Sequence, residues 1–148
     1  MLDQRLFFGS DHAGLDLKKY LMDYLRQDYD IIDVGPVQGT SCDYPVYARA
    51  LCAKVLEFKS PGILICGSGI GMSISANRIR GIRAALCLNE YMARMSRMHN
   101  DANVLCLGER VVGVDLAKSI VRAFLSSSFE GGRHQKRIDL LENSAPQV

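Results

Sequence analysis

The 148-residue sequence predicts an α/β fold: a doubly wound, five-stranded parallel sheet with helices on both faces and a further C-terminal helix. Three observations carry that expectation. Short apolar runs alternate with longer stretches of helical period. Runs such as "GILIC" and "ANVLCL" are apolar throughout, as strands covered on both faces must be. No internal repeat, linker or low-complexity segment breaks the alternation, and the length suits a single domain spanning 1–148.

The elements follow in order. "RLFFG" (Arg5–Gly9) is the first strand. "SDHAGLDLKKYLMDYLRQD" follows as a helix, with Leu17, Leu21, Tyr24 and Leu25 on one face. "DIIDVG" (Asp30–Gly35) is the second strand. Asp43–Ser60 is the second helix, with Pro45 tolerated in its first turn. "GILICG" (Gly62–Gly67) is the third strand, and a short helix spans Gly71–Ile79. Ile82–Leu88 is the fourth strand, with a helix over Asn89–His99. Ala102–Gly108 is the fifth, with a helix over Gly113–Ser127. The tail "GGRHQKRIDLLEN" offers one more helix.

Right-handed crossovers restrict the topology. The commonest order for five such strands is 2-1-3-4-5, with its switch point between the first and third strands. Ligands bind there, beyond the carboxyl ends of the strands. The loops that meet at that point are "GSDHAG" and "CGSGIG".

Composition excludes several classes. Hydrophobic residues make up 48%, charged residues 23%, and the net charge is +2. That balance, without a Lys/Arg block, argues against a nucleic-acid partner. No apolar run approaches the roughly 20 residues of a membrane span. "MLDQRLFFGSD" carries no signal-peptide pattern. The five cysteines, at 42, 52, 66, 87 and 106, form no C-x-x-C pair. Reduced thiols and no export signal point to a cytoplasmic protein.

The glycine loop invites four readings. "GSGIG" does not match G-x-G-x-x-G and follows the third strand. A Walker A loop would end in Gly-Lys-Ser/Thr, whereas Met72 follows the last glycine here. A plain tight turn is one reading left. The other is an oxyanion cradle, with successive N–H groups at a helix start facing developing negative charge. Cys66 opens this loop, where the helix end favours a thiolate that could serve as base or nucleophile. Its glycine neighbours are expected to leave it uncovered, while Cys52, Cys87 and Cys106 sit mid-element.

Asp11 and His12 lie in the first loop, and Asp11 could also N-cap the first helix. His99 ends a helix. Two of only three histidines in such places favour proton transfer. Arg133 and Arg137 are four apart on one helix face. With Arg110 they either grip a phosphate or form a solvated basic face. Met92, Met95 and Met98 recur at helical spacing, for packing or an oligomer contact. No His/Cys/Asp/Glu cluster shows metal-ligand spacing, so no metal is expected.

"GSDHAG", "DYPVYA", "CGSGIGMSISANRIRGIRAAL", "HNDANVLCLGERVVG" and "FEGGRHQKR" together resemble the ribose-5-phosphate isomerase B family, which includes galactose-6-phosphate and allose-6-phosphate isomerases. The resemblance runs from Gly9 to about Arg137. It implies a Rossmann-like sheet and a cofactor-free aldose–ketose isomerase acting on ribose 5-phosphate and ribulose 5-phosphate. It also implies a homodimer or dimer of dimers with sites shared between subunits. By the same resemblance Cys66 is the base, the Gly67–Gly71 loop with Ser68 and Gly69 cradles the enediolate, and His99 opens the sugar ring. Asp11, His12 and Tyr44 then contact substrate. Asn100, Arg110, Arg133 and Arg137 contact sugar and phosphate. One branch of the family uses a downstream glutamate as base; Ser73 and Ser75 stand here, so the cysteine branch applies. Ser68 stands where many members have threonine.

Two other functions fit the pattern. One is a hexose-6-phosphate isomerase. The other is a non-catalytic, flavodoxin-like phosphate or nucleotide-binding module, which would need neither Cys66 nor His99.

Overall fold

The computed structural model describes residues 4–143. Its strands are β1 (Arg5–Ser10), β2 (Asp30–Asp33), β3 (Gly62–Cys66), β4 (Ala84–Leu86) and β5 (Val104–Gly108). Its helices are α1 (Leu15–Leu25), α2 (Tyr44–Phe58), α3 (Ile70–Asn77), α4 (Glu90–Asn100), α5 (Val114–Ser126) and α6 (Arg133–Asn143). The helix expected in the tail is therefore present as α6. A 3₁₀ turn, His12–Gly14, precedes α1. All neighbouring strands pair in parallel. No described helix is long and apolar enough to cross a membrane.

The strand order is β2-β1-β3-β5-β4, which corrects the expected 2-1-3-4-5. Burial explains the exchange. Every residue of β5 is buried, whereas Ala84, Ala85 and Leu86 of β4 are only half-buried. Moving β5 to the edge would uncover Val104, Leu105 and Leu107, at up to about 1.5–3 kcal/mol for each side chain fully exposed. Two alanines lose far less there, so the short strand takes the rim.

The exchange also reassigns a helix. In β2-β1-β3-β5-β4, the return from β4 to β5 runs opposite to the step from β3 to β4. Right-handed crossovers therefore put α4 on the face opposite α3. One buried cluster joins Leu17, Leu21 and Leu25 of α1 to Ala93 of α4 and to Ile120, Val121 and Phe124 of α5. The other joins Leu51, Cys52 and Val55 of α2 to Met72 and Ala76 of α3. Each of α1–α5 starts after a strand at the carboxyl edge of the sheet and runs to its amino edge. The carboxyl end of α4, with His99, therefore lies at the amino edge.

Candidate active site

The two expected loops do meet at the carboxyl edge. Ser10 is in register with Ile65, and the Asp11 N–H donates to the Ile65 carbonyl over 3.2 Å. This places Asp11 beside Cys66. Asp11 Oδ1 accepts from the N–H groups of Ala13 (2.9 Å) and Gly14 (3.1 Å). The carboxylate thus caps the 3₁₀ turn, so the expected capping role falls there and not on α1 itself. His12 is exposed, and its Nδ1 accepts from the Cys42 N–H over 3.3 Å.

The second loop folds over the end of β3. Gly69, at φ +78°, caps α3, and a Cβ there would come within 2.9 Å of the Leu107 backbone. Only glycine meets both demands without strain. The turn brings the Gly69 N–H to 3.1 Å from Cys66 Sγ. Ser68 Oγ accepts from the Ile70 N–H over 3.2 Å. The next N–H groups of α3 have no acceptor within the helix, as at any helix start. Cys66 is 4% exposed, which corrects the expectation of an uncovered thiol. The loop that presents it also closes over it.

Tyr44, Arg110 and the glycines line the same edge. A Cβ on Gly71 would stand 2.7 Å from the Tyr44 ring, so the ring rests on that glycine. A Cβ on Gly67 would stand 3.2 Å from Arg110 Nη1. The Arg110 N–H also donates to the Gly67 carbonyl over 3.0 Å. The thiol, the loop, Asp11, His12, Tyr44 and Arg110 thus share one edge of the sheet.

The remaining residues do not join them. His99 and Asn100 end α4 at the amino edge, where Arg83, just before β4, donates to the Asn100 carbonyl over 2.9 Å. Cys66 is level with Gly108, at the other end of β5. At ~3.3 Å per residue, the strand separates the two groups by roughly 15 Å. Arg133 and Arg137 belong with His99, since both stand close enough to His134 to disfavour its charged form. His134 stacks on His99 with ring centroids 4.2 Å apart. Arg110 is thus separated from the other two arginines.

Several contributing residues went unnoticed in the sequence. Glu109 Oε2 accepts from the Leu17 N–H over 3.1 Å, tying the segment before Arg110 to α1. Lys18 is fully buried and donates to Asp33 Oδ1 (2.7 Å) and to the Pro36 carbonyl (2.5 Å). It holds the segment that leads to Cys42 and Tyr44. Glu130 and His134 meet His99, with His134 Nε2 3.5 Å and His99 Nε2 3.9 Å from Glu130 Oε2. The i, i+4 spacing of Glu130 and His134 was the available signal. The structure therefore assembles a His/Glu/His cluster that spacing along the chain did not reveal.

Fold and site together define a doubly wound α/β protein with a thiol and a glycine-rich cradle at the switch point. The chain belongs to the family described as Ribose/Galactose Isomerase, whose model matches residues 6–141. Ribose-5-phosphate isomerase B of Escherichia coli is 45% identical over 140 residues, covering 93% of this chain and 94% of that one. A crystal structure of a ribose 5-phosphate isomerase from Thermotoga maritima superposes with a TM-score of 0.93 at 45% identity, covering 96% and 99% of the two chains. Ribose-5-phosphate isomerase B from Mycoplasma genitalium, solved with bound ribulose-5-phosphate, gives a TM-score of 0.93 at 39% identity over 100% of both chains.

Proposed function

We propose that this aldose–ketose isomerase interconverts ribose 5-phosphate and ribulose 5-phosphate at a site completed by two copies of the chain. The relatives named for this reaction support the substrate. One of them was solved with the ketose bound. The observation that carries the two-copy reading is the separation of Cys66 from His99 along β5. One copy contributes Cys66, Ser68 and the Gly67–Gly71 loop, with Asp11, His12, Tyr44 and Arg110. The other contributes His99, Asn100, Arg133 and Arg137.

The chemistry suits these parts. Moving a proton between C2 and C1 requires one base that reaches both carbons. Cys66, at the mouth of the loop, serves as that base in its thiolate form. The Gly69 N–H already donates to Sγ over 3.1 Å, which holds the sulfur in place at the end of β3. The negative oxygen of the enediolate then sits against N–H groups at the start of α3. Ribose 5-phosphate is mostly a closed furanose, so His99 acts first, moving the proton that opens the ring. The arginines hold the phosphate, which takes no part in the bond changes. Their binding energy supports orientation as well as affinity.

Ile70 and Ile74 are exposed four residues apart on α3, Leu88 is exposed between β4 and α4, and Tyr91 and Met92 are exposed in the first turn of α4. This apolar surface favours association of two copies. The compartment consistent with this reaction and with five free thiols is the cytoplasm.

The test compares ribose, allose and galactose phosphates under one set of conditions. Ketose should form fastest from ribose 5-phosphate. A preference for either hexose phosphate would move the assignment to that substrate, and no ketose from any of them would overturn it.

A further inference from the structure

We infer that His99, Glu130 and His134 form a binding site for one divalent transition-metal ion of the zinc class, through His99 Nε2, Glu130 Oε2 and His134 Nε2. The three ligand atoms lie within 4.8 Å of one another. They come from two segments that are fixed together. The Glu130 N–H donates to the Met98 carbonyl over 3.0 Å, which anchors the acid to the end of α4. Gly131 and Gly132 follow at φ +68° and +57° and turn the chain into α6. Glu130 and His134 then face His99 from one side.

A second observation points to a ligand. His134 is 6% exposed, and its Nε2 is buried without a hydrogen-bond partner. A buried polar atom left unpaired is costly. Glu130 Oε2 is close at 3.5 Å but makes no hydrogen bond to it. A metal ion between the three atoms would accept the orphaned lone pair.

The donor set selects the ion. Two imidazoles and one carboxylate suit Zn²⁺ or Co²⁺, whereas Mg²⁺ and Ca²⁺ take oxygen ligands. The surrounding charge sharpens that choice. Arg133 and Arg137 face the same imidazole and oppose any cation. Only an ion with strong bonds to nitrogen overcomes them. Metal–nitrogen bonds of about 2.0–2.1 Å require the donors to draw in by about 1 Å. His99 and Glu130 have side chains 37% and 44% exposed, which leaves room for them to adjust around His134; the His99 ring must turn out of its stack on His134, because parallel rings cannot aim two in-plane lone pairs at one ion.

Occupancy would silence the enzyme, a consequence that rests on the ring-opening role proposed for His99. A nitrogen bound to metal has no lone pair for proton transfer. The site is thus an inhibitory one, distinct from a catalytic metal centre.

Metal-free protein should be titrated with Co²⁺, following visible absorption and equilibrium dialysis. One ion per chain should bind with the ligand-field bands of a nitrogen/oxygen set and no thiolate charge-transfer band. Glu130→Gln and His134→Asn should each weaken binding at least about tenfold. Glu130 is half-exposed, so its variant reads the site even if the histidine variant folds poorly. A thiolate band, or parental affinity in Glu130→Gln, would overturn the proposal. Zn²⁺ should displace Co²⁺ and slow ribose 5-phosphate turnover in step with occupancy, and a chelator should restore it. Full occupancy with unchanged turnover would leave the metal site standing and remove His99 from its catalytic role.

Discussion

The backbone N–H of Gly69 donates to Sγ of Cys66 across 3.1 Å, from a residue that only glycine occupies without strain. The contact holds the sulfur in place, and the same turn starts the helix proposed to receive the enediolate charge. Cys66→Ala should remove the proposed base while leaving the turn in place. The variant should fold and bind ribulose 5-phosphate, with turnover at least about 10²-fold lower. Near-parental turnover would send the search for the base to a carboxylate, with Asp11 first.

The proposed division of the site between two copies predicts rescue between inactive variants. Cys66→Ala and His99→Asn should each be nearly inactive alone. In a mixed dimer, one site carries both substitutions and the other carries neither. Random pairing of equal amounts should restore about a quarter of parental activity. No recovery, with hybrids present by native mass spectrometry, would place both residues of each site in a single chain.

Gly69→Ala tests the turn itself. Its Cβ would meet Leu107 and Gly108 backbone atoms, which cannot yield as a flexible side chain would. The left-handed conformation alone costs about 1–2 kcal/mol. Urea unfolding should show a loss above about 1 kcal/mol, with activity reduced further because Cys66 Sγ loses its fixed donor. Unchanged stability would show that the loop relaxes freely.

The thiols should react in an order set by burial. Burial pushes Cys52 up to about 12 and Cys87 up to about 11, and lifts Cys106 well above the ordinary thiol range. None of these three should take up iodoacetamide while the protein is folded. Cys42 is half-buried and should label readily without loss of activity. Cys66 should label more slowly, because the loop covers it, and activity should fall in step with that label alone. A sugar-phosphate inhibitor should protect it. Inactivation that tracked Cys42 would contradict this assignment.

His134 makes a prediction in pH. Burial, then His99 and Arg133, hold its pKa below the usual imidazole value of 6.5. The unfolded chain therefore binds a proton that the folded one resists. Stability from this residue is complete above about pH 6.5 and is lost as pH falls through the lower folded value. Between neutral pH and about pH 5, the parent should lose more stability than His134→Gln, as read from urea midpoints. Equal losses would mean that the ring is free to charge in the fold.

The alternation of apolar runs with helical stretches fixed the class of fold and the loops that meet at its switch point. That much is local, because a strand covered on both faces must be apolar throughout and glycines mark the turn into α3. The neighbourhood of Asp11 and Cys66 followed from those loops. The edge position of β4 had a weak signal in its two alanines, yet the choice between β4 and β5 rests on relative burial, which compares segments far apart in sequence. That single exchange sends α4 to the other face and His99 to the far edge, so only the tertiary structure separates His99 from Cys66. It likewise decided the cover over Cys66, the burial of Lys18, and the meeting of His99, Glu130 and His134. Each of these depends on which surfaces the helices press together, and that is settled by the summed packing of the whole sheet.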